Sequence, residues 1–305
     1  MNDKNILSTS VSFEAFLKPN IDRPEFISRW LTERKIPHNM LELAGKKHII
    51  VRFSNSSYDP RFRMKTLVAH HDRVENTPGA NDNSAACFQL MLCAQRLNQL
   101  DSVTATPYPH NTRIIFTDGE EAAGDKGVSG QGSYRLGEGL RRLKMTDDDV
   151  FVFDACGRGD TLIVSTSGMN TRGKIGKNLD RVHAQATKIA LKAAPGSWVQ
   201  LPTPYSDNAG FIAAGIAAQV ITILPHEEAS TLLRGFGNSV VEQEKLMQII
   251  TGKGIRDPNN GSLVIPETWT LMHTQEDTAA SLTPQAFTLM EKVLTIISKM
   301  LDPLP

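Results

Sequence analysis

The chain has 305 residues, with 33 Lys+Arg against 33 Asp+Glu, 8 His, 3 Cys and 40% hydrophobic residues. Balanced charge and ordinary apolar content exclude a disordered tail, a collagen-like fibre and a basic nucleic-acid binder. A folded chain of this length buries roughly 75% of the surface its unfolded form exposes and needs no disulfide staples. Cys87, Cys93 and Cys156 show no CxxC spacing and are expected to be reduced thiols packed as small hydrophobes. No run approaches the roughly 18 apolar residues of a membrane span. Met1 to Asn5 lacks the basic start and apolar run of a signal peptide, so a soluble, cytoplasmic protein is expected.

In chain order, Arg23 to Arg34 has helical spacing, with Phe26, Ile27, Trp30 and Leu31 on one side. Lys46 to Phe53 and Thr66 to His70 are short apolar or β-branched runs and predict strands. Asp82 to Leu100 carries Ala85, Phe88, Leu92 and Leu97 at helical intervals. A strand follows at Arg113 to Phe116, then a Gly-rich loop and a helix from Ser133 to Leu143. Val150 to Phe153 and Thr161 to Val164 predict strands, Leu179 to Ala194 a helix, Gln219 to Leu224 a strand, and Phe287 to Leu301 a last helix. Alternating strands and helices predict an α/β fold with a mostly parallel sheet covered on both faces. With no internal repeat or low-complexity linker, residues 1–305 are expected to form one domain, with an irregular insertion or lid at about 228–268 that includes a helical pattern from Val240 to Ile250.

Metal-competent side chains recur where the apolar strands end. Thr66 to Ala69 leads into His70-His71-Asp72, Arg113 to Phe116 into Thr117-Asp118-Gly119-Glu120-Glu121, and Val150 to Phe153 into Asp154. Ligands of open α/β sheets bind beyond the carboxyl ends of strands, where these residues would converge. Any one of them taken alone is more simply a solvated loop charge, and it is the recurrence at three strand ends that points to a site. His70 and Asp72 share one side of a strand, and a ligating imidazole commonly hands its other N–H to a carboxylate. Asp82 opens a helix after a Gly/Asn-rich turn, so it is either an N-cap or a carboxylate aimed at a neighbouring strand end. Glu120 and Glu121 repel each other unless a cation lies between or beside them. A metal resolves the conflict, with one Glu as ligand and the other as base. His38, His48, His71, His110, His183 and His226 are assigned surface or core polar roles; His273 is set apart by its neighbours.

The ordered set His70-x-Asp72, Gly79-Ala80-Asn81-Asp82-Asn83-Ser84, Gly119-Glu120-Glu121, Asp154 and His273-Thr274-x-x-Asp277-Thr278 resembles the co-catalytic zinc aminopeptidases, family twenty-eight of the metallopeptidases in clan MH, which include bacterial leucyl aminopeptidases. The resemblance spans about Thr66 to Thr278. It implies a three-layer α/β/α fold of the phosphorylase/hydrolase-like type, with a central mixed sheet and two zinc ions. By the same resemblance His70 and Asp154 hold one zinc, Glu121 and His273 the other, and Asp82 bridges them. Glu120 is then the general base and Asp72 the group that orients His70. The substrate would be a peptide or aminoacyl compound, with Tyr205, Asp207 and Arg158 as candidate contacts; neither nucleic acid nor membrane is an expected partner.

The chain departs from the family at Tyr205-Ser206-Asp207-Asn208, where Asn208 stands in place of the usual His. Two other readings share the fold. A glutaminyl-peptide cyclotransferase would work with one zinc, and a non-catalytic interaction domain would have lost ligands, against the complete set present here.

Overall fold

The computed structural model describes residues 12–103, 109–121, 124–236 and 265–304. Met1 to Asn5 and most of the excursion expected at 228–268, including Val240 to Ile250, lie outside these residues. Among the described residues, eight strands form one mixed sheet in the order β1-β2-β4-β3-β5-β8-β6-β7. They are β1 (His38–Leu43), β2 (Lys46–Val51), β3 (Lys65–His70), β4 (Thr112–Thr117), β5 (Asp149–Phe153), β6 (Thr161–Ser165), β7 (Trp198–Leu201) and β8 (Ala218–Leu224). The centre, β4-β3-β5-β8, is parallel throughout. Antiparallel pairs join β1 to β2, β2 to β4 and β8 to β6.

Every residue of β3, β5 and β8 is buried, as strands covered on both faces require. One face, with Leu67, Ile114, Phe116, Phe151 and Phe153, belongs to the core that the helices Arg23–Glu33, Ala85–Val103, Gly173–Ala193 and Pro284–Lys299 share. The other face, with Val68, Ile115, Val150, Val152 and Val220, packs with Leu136, Leu140 and Phe211 from the helices Gly132–Arg142 and Asp207–Ala213. Three layers result. All three cysteines are buried and unpaired. Among the described residues no helix is long and apolar enough to cross a membrane.

Two strands and several helices escape the sequence pattern, among them His226–Phe236 and Glu267–Leu271 at the flanks of the excursion. β1 and β7 lie at the two sheet edges, where most of their residues are exposed or half-buried, so they lack a long apolar run. The helix Asp207–Ala213 is a short segment of mostly small residues. Helix starts differ from the expectation: the helix expected from Asp82 begins at Ala85, with non-helical backbones at Asp82 and Asn83, and the helix expected from Leu179 begins at Gly173.

His48 on β2 is buried. Its Nδ1 accepts from the Asp118 N–H at 3.3 Å, and its Nε2 has no partner. Burial, reinforced by neighbouring His71, pushes the imidazole down to about 4. The unfolded chain takes up this proton below about pH 6.5 while the native state refuses it. Stability is therefore full above that pH and is lost as pH falls towards 4, by about 3 kcal/mol from this group. In urea unfolding of metal-free protein between pH 6.5 and 4.5, His48→Gln is expected to show a shallower loss than the parent; equal slopes would contradict it.

Candidate metal centre

From β3 the chain passes to β4 on one side, and from β4 it crosses back to β5 on the other side of β3, so the direction of strand addition reverses beside β3. His70 is the last residue of β3, Glu120 and Glu121 follow β4, and Asp154 follows β5. The reversal opens a crevice at this point. Asp82 and His273 reach it from loops.

The loop carrying Asp82 is shaped by contacts distant in sequence. Gly79 has φ of 60°, and a Cβ there would lie 2.7 Å from the Asp82 carbonyl oxygen, so glycine is required. The Asp277 carboxylate accepts from the Asn81 N–H at 2.7 Å and the Asp82 N–H at 3.0 Å. Asn83 donates to the Phe153 carbonyl at 2.8 Å, and Asn81 accepts from the Gly157 N–H at 2.8 Å. The peptide bond between Asp82 and Asn83 is cis. These hydrogen bonds deny Asp82 a place in the helix and present its carboxylate to both imidazoles.

His70 Nε2 lies 3.3 Å from Asp82 Oδ1 and 3.7 Å from Asp154 Oδ2. His273 Nε2 lies 3.1 Å from Asp82 Oδ2 and 3.1 Å from Glu121 Oε2. Two sets of three potential ligands, His70/Asp82/Asp154 and Asp82/Glu121/His273, each close within 4.8 Å and share Asp82. A third set, His70/Glu120/Glu121, overlaps both. His70 and Asp82 are buried, whereas His273 is 53% exposed at the mouth. His273 and Ala155, the residue after Asp154, both have positive φ, 63° and 49°, a conformation seldom adopted outside glycine.

Asp72 organises the other side. Its carboxylate accepts from the backbone N–H groups of Glu120 at 3.2 Å and Glu121 at 3.0 Å. It also lies 3.5 Å from His70 Nδ1, which leaves Nε2 directed at Asp82 and Asp154. Burial would raise the Asp72 carboxyl, but His70, with His71 and the Glu121 N–H, holds it down at about 2. Glu120 accepts from Gln131 Nε2 at 3.0 Å. Its carboxyl is raised well above the usual range by burial, with Asp154, Asp207 and Glu121 adding to the rise. Burial and Asp82 likewise raise Glu121.

Burial opposes protonation of His70, yet Asp154, Asp72 and Asp82 together lift it well above its ordinary value. The carboxylates of Asp82 and Glu121 pull His273 up to about 11. Without another cation, the imidazoles thus take up protons to balance the carboxylates. A divalent ion would displace those protons, so affinity for it should rise with pH. The donor set suits zinc, being imidazole and carboxylate. Buried His70 Nε2, Asp82 Oδ2, Glu121 Oε1 and Asp154 Oδ1 have no hydrogen-bond partner, the condition expected of atoms that coordinate an ion.

The expected substrate contacts are placed differently. Tyr205 is 44% exposed. Asp207 is fully buried, accepts from the Thr117 hydroxyl, and is pushed up to about 6 by burial; it underlies the site and cannot touch a substrate there. Arg158 is already paired with Glu228 and Glu267, one from each described flank of the excursion, so it is not free for an acidic substrate group. Asn208 is buried, and its Oδ1 accepts from the Ser206 N–H at 2.9 Å. His48, His71 and His110 are buried outside the ligand sets.

The model of peptidase family M28 matches residues 48–297. The chain belongs to peptidase family M28. This M28 chain shares its fold with a Zn-dependent exopeptidase from Parabacteroides distasonis (TM-score 0.60, 14% identity, 98% of each chain covered). It is also similar to the LapA aminopeptidase of Legionella pneumophila (TM-score 0.58, 14% identity, 97% of this chain and 72% of that one). A glutaminyl cyclase from Porphyromonas gingivalis is comparably similar (TM-score 0.57, 13% identity, 94% and 95% covered). Among curated proteins, the lysosomal alpha-mannosidase of Felis catus is 24% identical over 212 residues, 62% of this chain. The M28 chain spans only 21% of that relative's length.

In the sequence Asp277 stands out only as part of the His273-Thr274-x-x-Asp277-Thr278 motif. Its two carboxylate oxygens hold the turn that aims Asp82. An amide at this position has one acceptor oxygen and turns an NH2 towards a backbone donor. Asp277→Asn is accordingly expected to weaken zinc binding about 10–100-fold, the usual cost of losing an outer support of a metal site. Competition with a chromophoric chelator measures it, and unchanged affinity would show that the clamp is dispensable.

Proposed function

We propose that this M28 chain is a zinc-dependent exopeptidase of the aminopeptidase type, hydrolysing peptide or aminoacyl substrates at a site for two metal ions. The observation that carries the reading is the pair of three-residue ligand sets sharing Asp82, with Glu120 beside them. His70 and Asp154 would hold one ion, Glu121 and His273 the other, and Asp82 both. When bound, such ions act as Lewis acids and make water nucleophilic at neutral pH. Glu120 takes a proton from the attacking water as the new C–O bond forms. It returns that proton to the departing amine as the C–N bond breaks. Asp72 keeps His70 oriented and, through two backbone N–H groups, holds the Glu120-Glu121 loop in place.

The glutaminyl cyclase likeness keeps a second reading: one zinc, with the substrate's own amine attacking its side-chain amide. One experiment separates the two. Zinc per chain is measured after reconstitution, alongside turnover of aminoacyl-p-nitroanilides and of a peptide with N-terminal Gln. Two zinc ions and free amino acids support the peptidase. One zinc and a pyroglutamyl product support the cyclase and overturn the proposal, and absence of zinc binding overturns both.

A further inference from the structure

We infer that Gln131 is a positioning residue for Glu120, fixing one oxygen of its carboxylate so that the other is presented to the substrate. The inference rests on the reading of Glu120 as the base. Gln131 Nε2 donates to Glu120 Oε1 at 3.0 Å, and the side chain is only 6% exposed. In the ionised form a base requires, the Glu120 carboxylate can only accept, so the amide offers its NH2 side here. Its own Oε1 is buried without a partner. An apolar residue would avoid that unpaired oxygen, so fold stability alone does not call for an amide at this position.

The backbone shows the same commitment. Gln131 is the N-cap of the helix Gly132–Arg142, a position where side chains usually bond the first free N–H groups, yet its side chain makes no cap bond. The next residue brings the helix start against the loop after β4. The Gly132 N–H donates to the Gly119 carbonyl at 3.3 Å, and a Cβ on Gly132 would lie 1.9 Å from the Asp118 carbonyl oxygen. Only glycine permits this approach, and the approach is what brings the Gln131 amide within reach of Glu120. Glu120 is then held at both ends, by Asp72 at its backbone N–H and by Gln131 at its carboxylate. A base constrained in this way loses little freedom on reaching its reactive geometry.

The test compares parent, Gln131→Met, Glu120→Gln and the double variant. Zinc content, thermal midpoint, kcat and KM are measured on the best aminoacyl-p-nitroanilide. Gln131→Met keeps side-chain length and removes the donor. It is expected to retain zinc and a midpoint within about 2 °C, with KM within about twofold and kcat reduced about 10–100-fold. In the Glu120→Gln background it should add no further loss, because the group it positions is gone. Should Gln131→Met not fold, Gln131→Asn, one methylene short of reach, answers the same question. A kcat within about twofold of the parent overturns the inference, as does a loss that tracks zinc content or stays additive with Glu120→Gln. Unimpaired turnover in Glu120→Gln alone is a separate failure, that of Glu120 as base.

Discussion

Glu120→Gln is expected to keep its zinc and lose about 10²–10⁴ in kcat, the usual contribution of a positioned general base, or about 3–5 kcal/mol of barrier. The substitution preserves shape and removes only the ability to accept and return a proton. Zinc should remain because both ligand sets that share Asp82 are complete without Glu120. The third set, in which Glu120 stands with His70 and Glu121, gives the competing outcome. Were Glu120 chiefly a ligand, the variant would lose metal in step with activity. Zinc content by atomic emission beside kcat distinguishes the two, and full turnover would remove Glu120 from the mechanism.

The second large effect is expected at Asp82. Its two oxygens face different imidazoles, Oδ1 towards His70 and Oδ2 towards His273. Asp82→Asn leaves a single acceptor oxygen and removes a negative charge from a buried position. Affinity for at least one ion should fall by more than about 100-fold, beyond the cost of losing a mere outer support. Reconstituted protein should then carry one zinc or fewer, with turnover lost. Asp154→Asn touches one set only and should spare the other ion, so the pair of variants reports whether Asp82 serves both. Two firmly held ions in Asp82→Asn would refute a bridging role.

Much of this architecture is visible in local pattern. The buried central strands are continuous apolar runs, and the long helices carry apolar stripes, because each must hide a face from water whatever its neighbours are. Edge strands β1 and β7 are under no such demand on their outer side, and their sequences show no comparable run. The residues at the ends of β3, β4 and β5 could be gathered into one site because parallel strands bring their carboxyl ends together.

What local pattern could not decide is where a side chain points when distant atoms hold it. By local pattern Asp82 is either a helix N-cap or a carboxylate aimed at a strand end, and the contacts of Asp277, of Asn83 on Phe153 and of Gly157 on Asn81 turn it into the crevice. Asp207 looks like a loop carboxylate available to substrate, yet the helix it begins is packed beneath Thr117. Arg158 looks like a free cation until Glu228 and Glu267 are brought to it from 70 and 109 residues away. Gln131 carries no signal at all, since an amide beside a glycine is common and its partner lies across a loop. Residue types and their order determined the family, the layers and the candidate ligands, because those depend on burial and on chemistry each residue carries by itself. The tertiary structure alone decided which carboxylates meet, which are buried and which are already paired, because a hydrogen bond or ion pair depends on a few ångströms between atoms that the chain separates by scores of residues.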